Sequence, residues 1–466
     1  MNPAPSKISK GLALVLALAA VAAFHFAYLL PHSQWLIVVF IYCLISLANL
    51  ASGRMAFYVG MAIGFAIYAP HLAFFYTVFG VAAVSLWCIL SLWLGVFLWI
   101  GRACLFRFGP VVWAGVAPFL WTGLEYFRSE LYYLRFSWLN VGYAFSNSSL
   151  VGFLGHYGVY GIGFLLVAWV AFLHGFRRFP TPMRLTYAII LCAISILPAS
   201  LRVPAHQHSV SVIVTGVQLE FPIGLEAKAA LDGALKKYPQ SELFVLSEYT
   251  FDRPIPKSVR DWCKSHHKWL VAGGEEPVSA QQYYNTAFVI GPDGEVVFQQ
   301  AKCVPIQFMK DGLPARDQRV WNSPWGKLGL AVCYDASYTR VTDELIRLGA
   351  QALIFPTMDV ADWGRYQHEL HGRIAPMRAA EYAVPIFRLC SSGISQFVQG
   401  DGHVAASAPF PGQGALISAN LDLPTGGRMP PDRLLALISV AVTAALVVFH
   451  FREYILQYGK DTKSSL

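Results

Sequence analysis

At 466 residues, with 56% hydrophobic and only 13% charged side chains, the chain is too apolar for two or three ordinary soluble domains. Its formal net charge of +8 does not require nucleic acid, because no basic run interleaved with aromatics offers a nucleic-acid groove. Eight cysteines without a CxxC pair indicate neither a zinc site nor a disulfide framework.

The first apolar runs have the length that crosses a bilayer core, about 17–25 residues. They predict spans at roughly 9–30, 34–50, 55–78, 81–101, 109–125, 150–175 and 184–202, with an eighth at 433–452. Lys7, Lys10, Arg54, Arg102, Arg107, Arg177, Arg178, Arg184, Arg452, Lys460 and Lys463 then share one side. The positive-inside rule makes that side cytoplasmic and accounts for much of the net charge. A competing reading takes Lys7, Lys10 and residues 11–19 as a signal peptide cleaved at Ala20-Val21-Ala22. Both readings leave the long segment after the seventh span extracytoplasmic.

Within the sixth span, "GHYGVYGIGF" (155–164) has small residues spaced for close helix packing. After the fifth, "EYFRSELYYLRFSWLN" is either an interfacial aromatic belt or a substrate-facing loop in which Trp138 and Tyr143 frame the access of lipid.

From about 209 to 425, short strands alternate with polar helical stretches, and "GPDGE" and "QGDGH" mark hairpin turns. This is a layered α/β pattern. The expected organisation is a membrane domain over 1–205 with about seven transmembrane helices, an α/β domain over 206–428, and a last transmembrane helix with a cytoplasmic tail over 429–466.

Three strands of this domain run out into residues fit for chemistry: "LFVLSE" into Glu248, "VVFQQAK" into Lys302 and "LGLAVC" into Cys333. Ligand sites in α/β sheets lie beyond strand ends, so the three groups can meet although they are distant in sequence. A carboxylate can take the thiol proton while an ammonium stabilises the oxyanion that forms on attack. A helix after Cys333, capped by Ser337 or Thr339, would point its positive end at the site. The histidines of "HELH" (368–371) lack a convincing third ligand and read as structural. No metal or cofactor is expected.

"LSEYTF", "AKCVPI" and "GLAVCYD" resemble the three catalytic motifs of the nitrilase superfamily. Joined to the membrane spans, and with Trp121, Glu125, Arg128, Phe136, Trp138, Gly142 and Tyr143 similar to a further pattern, the chain resembles the apolipoprotein N-acyltransferase family over nearly its whole length. The resemblance implies a multi-span α-helical membrane domain with an α-β-β-α nitrilase-like domain in a bacterial inner membrane. It implies Glu248 as general base, Lys302 as oxyanion stabiliser and Cys333 as nucleophile. An acyl chain would pass from a phospholipid to the N-terminal amine of a lipoprotein, with the chain acting as a monomer.

Two departures stand out. Where the family carries a second glutamate after its lysine, Gln307 and Phe308 stand in "KCVPIQFMKDG", and Tyr334-Asp335 replaces Tyr-Glu after the nucleophile. A carboxamide such as Gln307 can keep a hydrogen bond without the charge. The alternative readings are a membrane-anchored amidase and a weakened relative that binds lipid or lipoprotein without turnover.

Overall fold

The computed structural model describes residues 7–200, 210–253 and 255–464, with side chains excepted over 197–200 and 453–464. The end of the 184–202 span, the expected boundary at 205/206, and the Lys460 and Lys463 side chains lie outside what is described. The chain divides into a helical unit (7–148, 157–200 and 431–464) and a two-sheet unit (149–156, 210–253 and 255–430).

In the helical unit, four stretches among the described residues are long and apolar enough to cross a membrane: Lys10–Leu29, Ala82–Leu131, Val159–Arg178 and Asp432–Arg452. The expected span 34–50 is a helix of only 12 residues, Leu36–Leu47, and 55–78 divides into Gly53–His71 and Phe74–Phe79. Residues 81–125 form two helices within Ala82–Tyr126, broken where Gly109 (φ 83°) precedes Pro110, whose ring cannot continue the hydrogen-bond ladder. The expected 150–175 span starts only at Val159, because Gly158 (φ 78°) ends the approach and residues 149–156 belong to the other unit. Its polar interior is clamped. Arg128 donates to Tyr68 Oη at 2.8 Å and to Asn140 Oδ1, Glu125 Oε1 accepts from Val141 N at 3.0 Å, and Asp432 Oδ2 accepts from Tyr160 N at 3.0 Å.

Among its described residues the second unit holds twelve strands: β1 Val210–Val217, β2 Leu243–Val245, β3 Trp269–Pro277, β4 Tyr283–Ile290, β5 Val296–Ala301, β6 Val320–Ser323, β7 Gly326–Leu330, β8 Ala352–Thr357, β9 Ile386–Cys390, β10 Gln396–Val398, β11 Val404–Ser407 and β12 Leu416–Leu423. They form two six-stranded sheets, ordered β12-β1-β2-β3-β4-β5 and β11-β10-β9-β8-β7-β6. In the first, β1, β2 and β3 are parallel and β3, β4 and β5 antiparallel in turn, so β2 and β5 end at the same edge. In the second, β7, β8 and β9 are parallel.

Alternation on each strand separates two faces. Val212, Val214, Val245, Val271 and Val289 of the first sheet meet Leu328, Leu330, Ile354, Phe387 and Leu389 of the second in a common core. Each such buried side chain stabilises the unit by about 1.5–3 kcal/mol over its exposed state. On the opposite face of the first sheet, Phe244, Leu246 and Leu270 pack under Leu231, Val259 and Trp262 of the helices Gly224–Lys237 and Lys257–His266. The helices Thr339–Arg347 and Ile374–Tyr382 pack on the second sheet. The result is the α-β-β-α sandwich that the resemblance implies.

Candidate active site

β2 stops at Val245, and the chain turns through Ser247–Tyr249 with Tyr249 in the left-handed region at φ 50°. The neighbouring strand makes room for that turn: a Cβ on Gly273 would stand 2.5 Å from Glu248 Cα, so glycine is required there. Lys302 follows the last residue of β5. Cys333, three residues beyond β7, adopts φ 51°, a strained backbone for a non-glycine residue that turns the thiol out of the strand direction.

The three side chains meet. Lys302 Nζ donates to Glu248 Oε1 at 2.9 Å, and the Cys333 thiol lies within hydrogen-bonding reach of the Glu248 carboxylate. Met358, just past β8, binds both partners through its peptide groups: its N–H donates to Glu248 Oε2 at 2.7 Å and its carbonyl faces Cys333 Sγ at 3.8 Å. Glu248 and Lys302 are buried, and Cys333 is 4% exposed.

Lys302 has a second carboxylate, which the sequence reading missed. Asp311 Oδ2 lies 2.7 Å from Lys302 Nζ and accepts from Ile306 N at 2.7 Å, while Oδ1 accepts from Asn285 Nδ2 at 2.9 Å and Tyr249 Oη at 3.0 Å. Asn285 Nδ2 also donates to Glu248 Oε1 at 2.6 Å, tying the two carboxylates together. Gln307 sits on a half-buried turn beside Phe308 (φ 64°), and the loop delivers the acid four residues later, from "KDG". No periodicity marks Asp311; an acid in the loop after the lysine was the available signal.

The electrostatics follow from burial and from an excess of acid. Burial raises the Cys333 thiol well above its ordinary value and the Glu248 charge raises it further, against the opposing pull of Lys302. Glu248 is also raised, first by burial and then by Asp311, with Lys302 opposing. Burial would lower Lys302, but the two carboxylates hold it well above its ordinary value. At neutral pH the thiol is thus protonated and the ammonium charged, the starting state for a base-assisted attack.

Asp335 staples the two loops. Its carboxylate accepts from Cys303 N at 3.0 Å, Val304 N at 2.7 Å and Val332 N at 3.1 Å, joining the turn after Lys302 to the turn at Cys333. Burial pushes its carboxyl up to about 6 against those N–H groups. The aspartate in place of glutamate fits this short reach. The segment Cys333–Ser337 is a 3-10 turn, and the α-helix begins at Thr339 with Tyr338, rather than the expected Ser337 or Thr339, at its N-cap. Instead, Arg378 donates to Ala336 O and Ser337 O, each at 3.0 Å, and pairs with Glu381 at 2.6 Å. Tyr334 packs edge-on against Tyr338 at 5.0 Å.

Behind Met358 lies a second buried cluster. Asp359 pairs with Arg388 at 2.5 Å and His371 Nδ1 at 2.8 Å, and accepts from Gln367 at 3.0 Å. Its backbone carbonyl faces Ser391 Oγ at 2.9 Å and His368 Nε2 at 3.2 Å. The "HELH" histidines are thus built into this cluster. Burial opposes ionisation of Asp359, yet His371 and Arg388 hold it well below the carboxylate range. Burial also lowers His371, so the positive charge facing Asp359 at neutral pH resides on Arg388.

Trp138 and Tyr143 lie in the helical unit. Trp138 is buried and stacks on Phe74 at 5.9 Å, and Tyr143 is buried in the 3-10 turn Val141–Phe145. Among the described residues, no group of three or more His, Cys, Asp or Glu could hold a metal ion.

Two facing sheets between helical layers, with a thiol, a carboxylate and an ammonium gathered at their strand ends, define a nitrilase-fold unit. Residues 235–430 match the carbon-nitrogen hydrolase family, and residues 11–173 match the apolipoprotein N-acyltransferase N-terminal domain. An apolipoprotein N-acyltransferase from Geobacter metallireducens is 24% identical over 63% of this chain and 65% of its own length. An omega-amidase from Xenopus laevis is 27% identical over 33% of this chain and 62% of its own. A carbon-nitrogen hydrolase structure from Helicobacter pylori aligns with a TM-score of 0.40 at 19% identity, over 45% of this chain and 89% of that one. The chain spans less than two thirds of the length of these curated relatives. In chain order it is thus similar to an apolipoprotein N-acyltransferase N-terminal domain and then to a carbon-nitrogen hydrolase.

Proposed function

We propose that this chain transfers a fatty acyl group from a phospholipid to the N-terminal amine of a lipid-modified lipoprotein, through a thioester on Cys333. The observation that carries this reading is the buried meeting of Cys333, Glu248 and Lys302, with Asp311 as a second acid on the lysine.

Glu248 accepts the thiol proton as sulfur attacks the ester carbonyl. The S–C bond forms, and the oxyanion develops beside Lys302. Collapse breaks the ester C–O bond, and the proton on Glu248 passes to the departing alkoxide, leaving a lysophospholipid and the thioester. The amine then attacks the same carbon. As the new N–C bond forms, Glu248 takes an amine proton and returns it to the sulfur as the S–C bond breaks. Asp311 balances Lys302, leaving Glu248 free to carry the proton. Met358, anchored by Asp359, keeps the Glu248 carboxylate turned towards the thiol.

The acyltransferase reading is preferred to amide hydrolysis because the match at 11–173 is to the acyltransferase's own N-terminal domain. The positive-inside distribution supports an extracytoplasmic two-sheet unit. The test is intact-protein mass spectrometry after incubation with phospholipid. A fatty-acyl increment absent from Cys333→Ala and discharged onto a diacylated lipopeptide supports transfer; discharge to free fatty acid alone would replace it with hydrolysis. Phospholipid incubation that leaves the folded protein without an increment would favour a binding role.

A further inference from the structure

The N-terminal part of the chain carries charge mostly of one sign. The first 219 residues contain two carboxylate side chains, Glu125 and Glu130, against eleven lysines and arginines. Both acids are buried in bonds of their own, Glu125 with Val141 N and Glu130 with Tyr160 Oη.

Between the helices Leu36–Leu47 and Val159–Gly175 runs a groove of about 670 Å³, within the range of about 300–1,000 Å³ typical of small-molecule sites. Val39 and Tyr42 form one wall and Val170 and Leu173 the other, and the groove ends at Arg177 and Arg178. At about 1.5 Å per helical residue, its long side from Val170 to Arg178 extends about 12 Å. The two arginines at its end are exposed, and no carboxylate pairs with either among the described residues. The neighbouring Arg184 is otherwise engaged: it donates to Phe179 O at 2.7 Å and Arg177 O at 3.0 Å, and lies over the Phe176 ring.

An apolar trough on a membrane-type helix pair, opening on two guanidinium groups without a counter-charge, matches one ligand chemistry. The acyl part belongs along the walls and a phosphate diester at the arginines. The geometry points to a binding site for an anionic phospholipid in the groove between these two helices, separate from the Cys333 site. A free anion would leave the apolar walls unused, and a zwitterionic lipid would bring its own cation to the arginines.

The test uses the full chain in detergent with equimolar phosphatidylglycerol and phosphatidylcholine of identical acyl chains, with bound lipid read by native mass spectrometry. Two arginines near a headgroup set an expected preference of about 10- to 30-fold for phosphatidylglycerol. Arg177→Gln with Arg178→Gln should bring the ratio close to one, whereas Arg54→Gln should leave it unchanged. Val39→Trp, which fills one wall and leaves both arginines in place, should lower total bound lipid at an unchanged melting temperature. No preference in the wild type, loss of preference with Arg54→Gln, undiminished lipid with Val39→Trp, or displacement of lipid by millimolar inorganic phosphate would each overturn the site. Because none of these readouts uses Cys333, the result is independent of the proposed reaction.

Discussion

Two buried ionic clusters flank the Met358–Asp359 peptide, and they are tuned in opposite directions. On one side, Glu248 and Asp311 share the single ammonium of Lys302 next to a thiol, and Glu248 is held above the ordinary carboxylate range. On the other, Asp359 faces Arg388 and His371 and is held well below it. Depth of burial is the same, so the balance of charge makes the difference. Where acids outnumber cations a carboxylate becomes a better proton acceptor; where they balance, it becomes a fixed anchor.

The largest expected effect falls on the acid-rich side. Cys333→Ala should abolish the acyl adduct, and Glu248→Gln should slow its formation by about 10²–10⁴-fold, the range for a lost general base; both are read as adduct against time by mass spectrometry. A Glu248→Gln variant acylating at the wild-type rate would remove the chemical half of the contrast. Next comes Asp311→Asn, expected to cost roughly 10²-fold, while Gln307→Ala should leave the rate within about threefold. The reverse ranking would restore the loop position that the sequence suggested.

The pH dependence separates the clusters further. Glu248 must be ionised to accept the thiol proton, and its value is raised, so the acid limb of acylation should lie above the ordinary glutamate value of about 4.3. Asp311→Asn removes a like charge and should move that limb to lower pH. For Asp359 the sign is opposite. Its folded value is depressed, so its stabilising contribution is present above the unfolded value of about 3.9 and is lost as pH falls below it. Asp359→Asn should destabilise the two-sheet unit by about 3–5 kcal/mol at neutral pH, the cost of stranding a buried partner charge. Thermal melting from pH 3 to 7 should show a shallower acid dependence in this variant than in the wild type.

How much of this was readable beforehand divides along the same line. The strands into Glu248, Lys302 and Cys333 were visible because an apolar run that yields to a reactive residue is a local pattern. Asp311 was not, because its loop has no periodicity and its register against Lys302 is set by Ile306 N, Asn285 and Tyr249. Asp335 was noticed as a shortened acid, but its work as a staple depends on backbone groups from two loops. The spans show the same limit. Hydropathy located the apolar runs, yet Gly109, Gly158 and the short helix Leu36–Leu47 set where helices begin and end.

By itself, then, the sequence determined the alternation of apolar strands and polar helices, the apolar runs of the helical unit, and the placing of a glutamate, a lysine and a cysteine where strands end, since hydrophobic periodicity and residue chemistry are local properties. Only the tertiary structure decided which acid partners Lys302, which peptide joins Glu248 to Cys333, and which histidines serve Asp359. Those choices depend on strand order and loop register, and in a buried site a separation of about 3 Å rather than about 10 Å decides whether a charge is neutralised or left to act as a base.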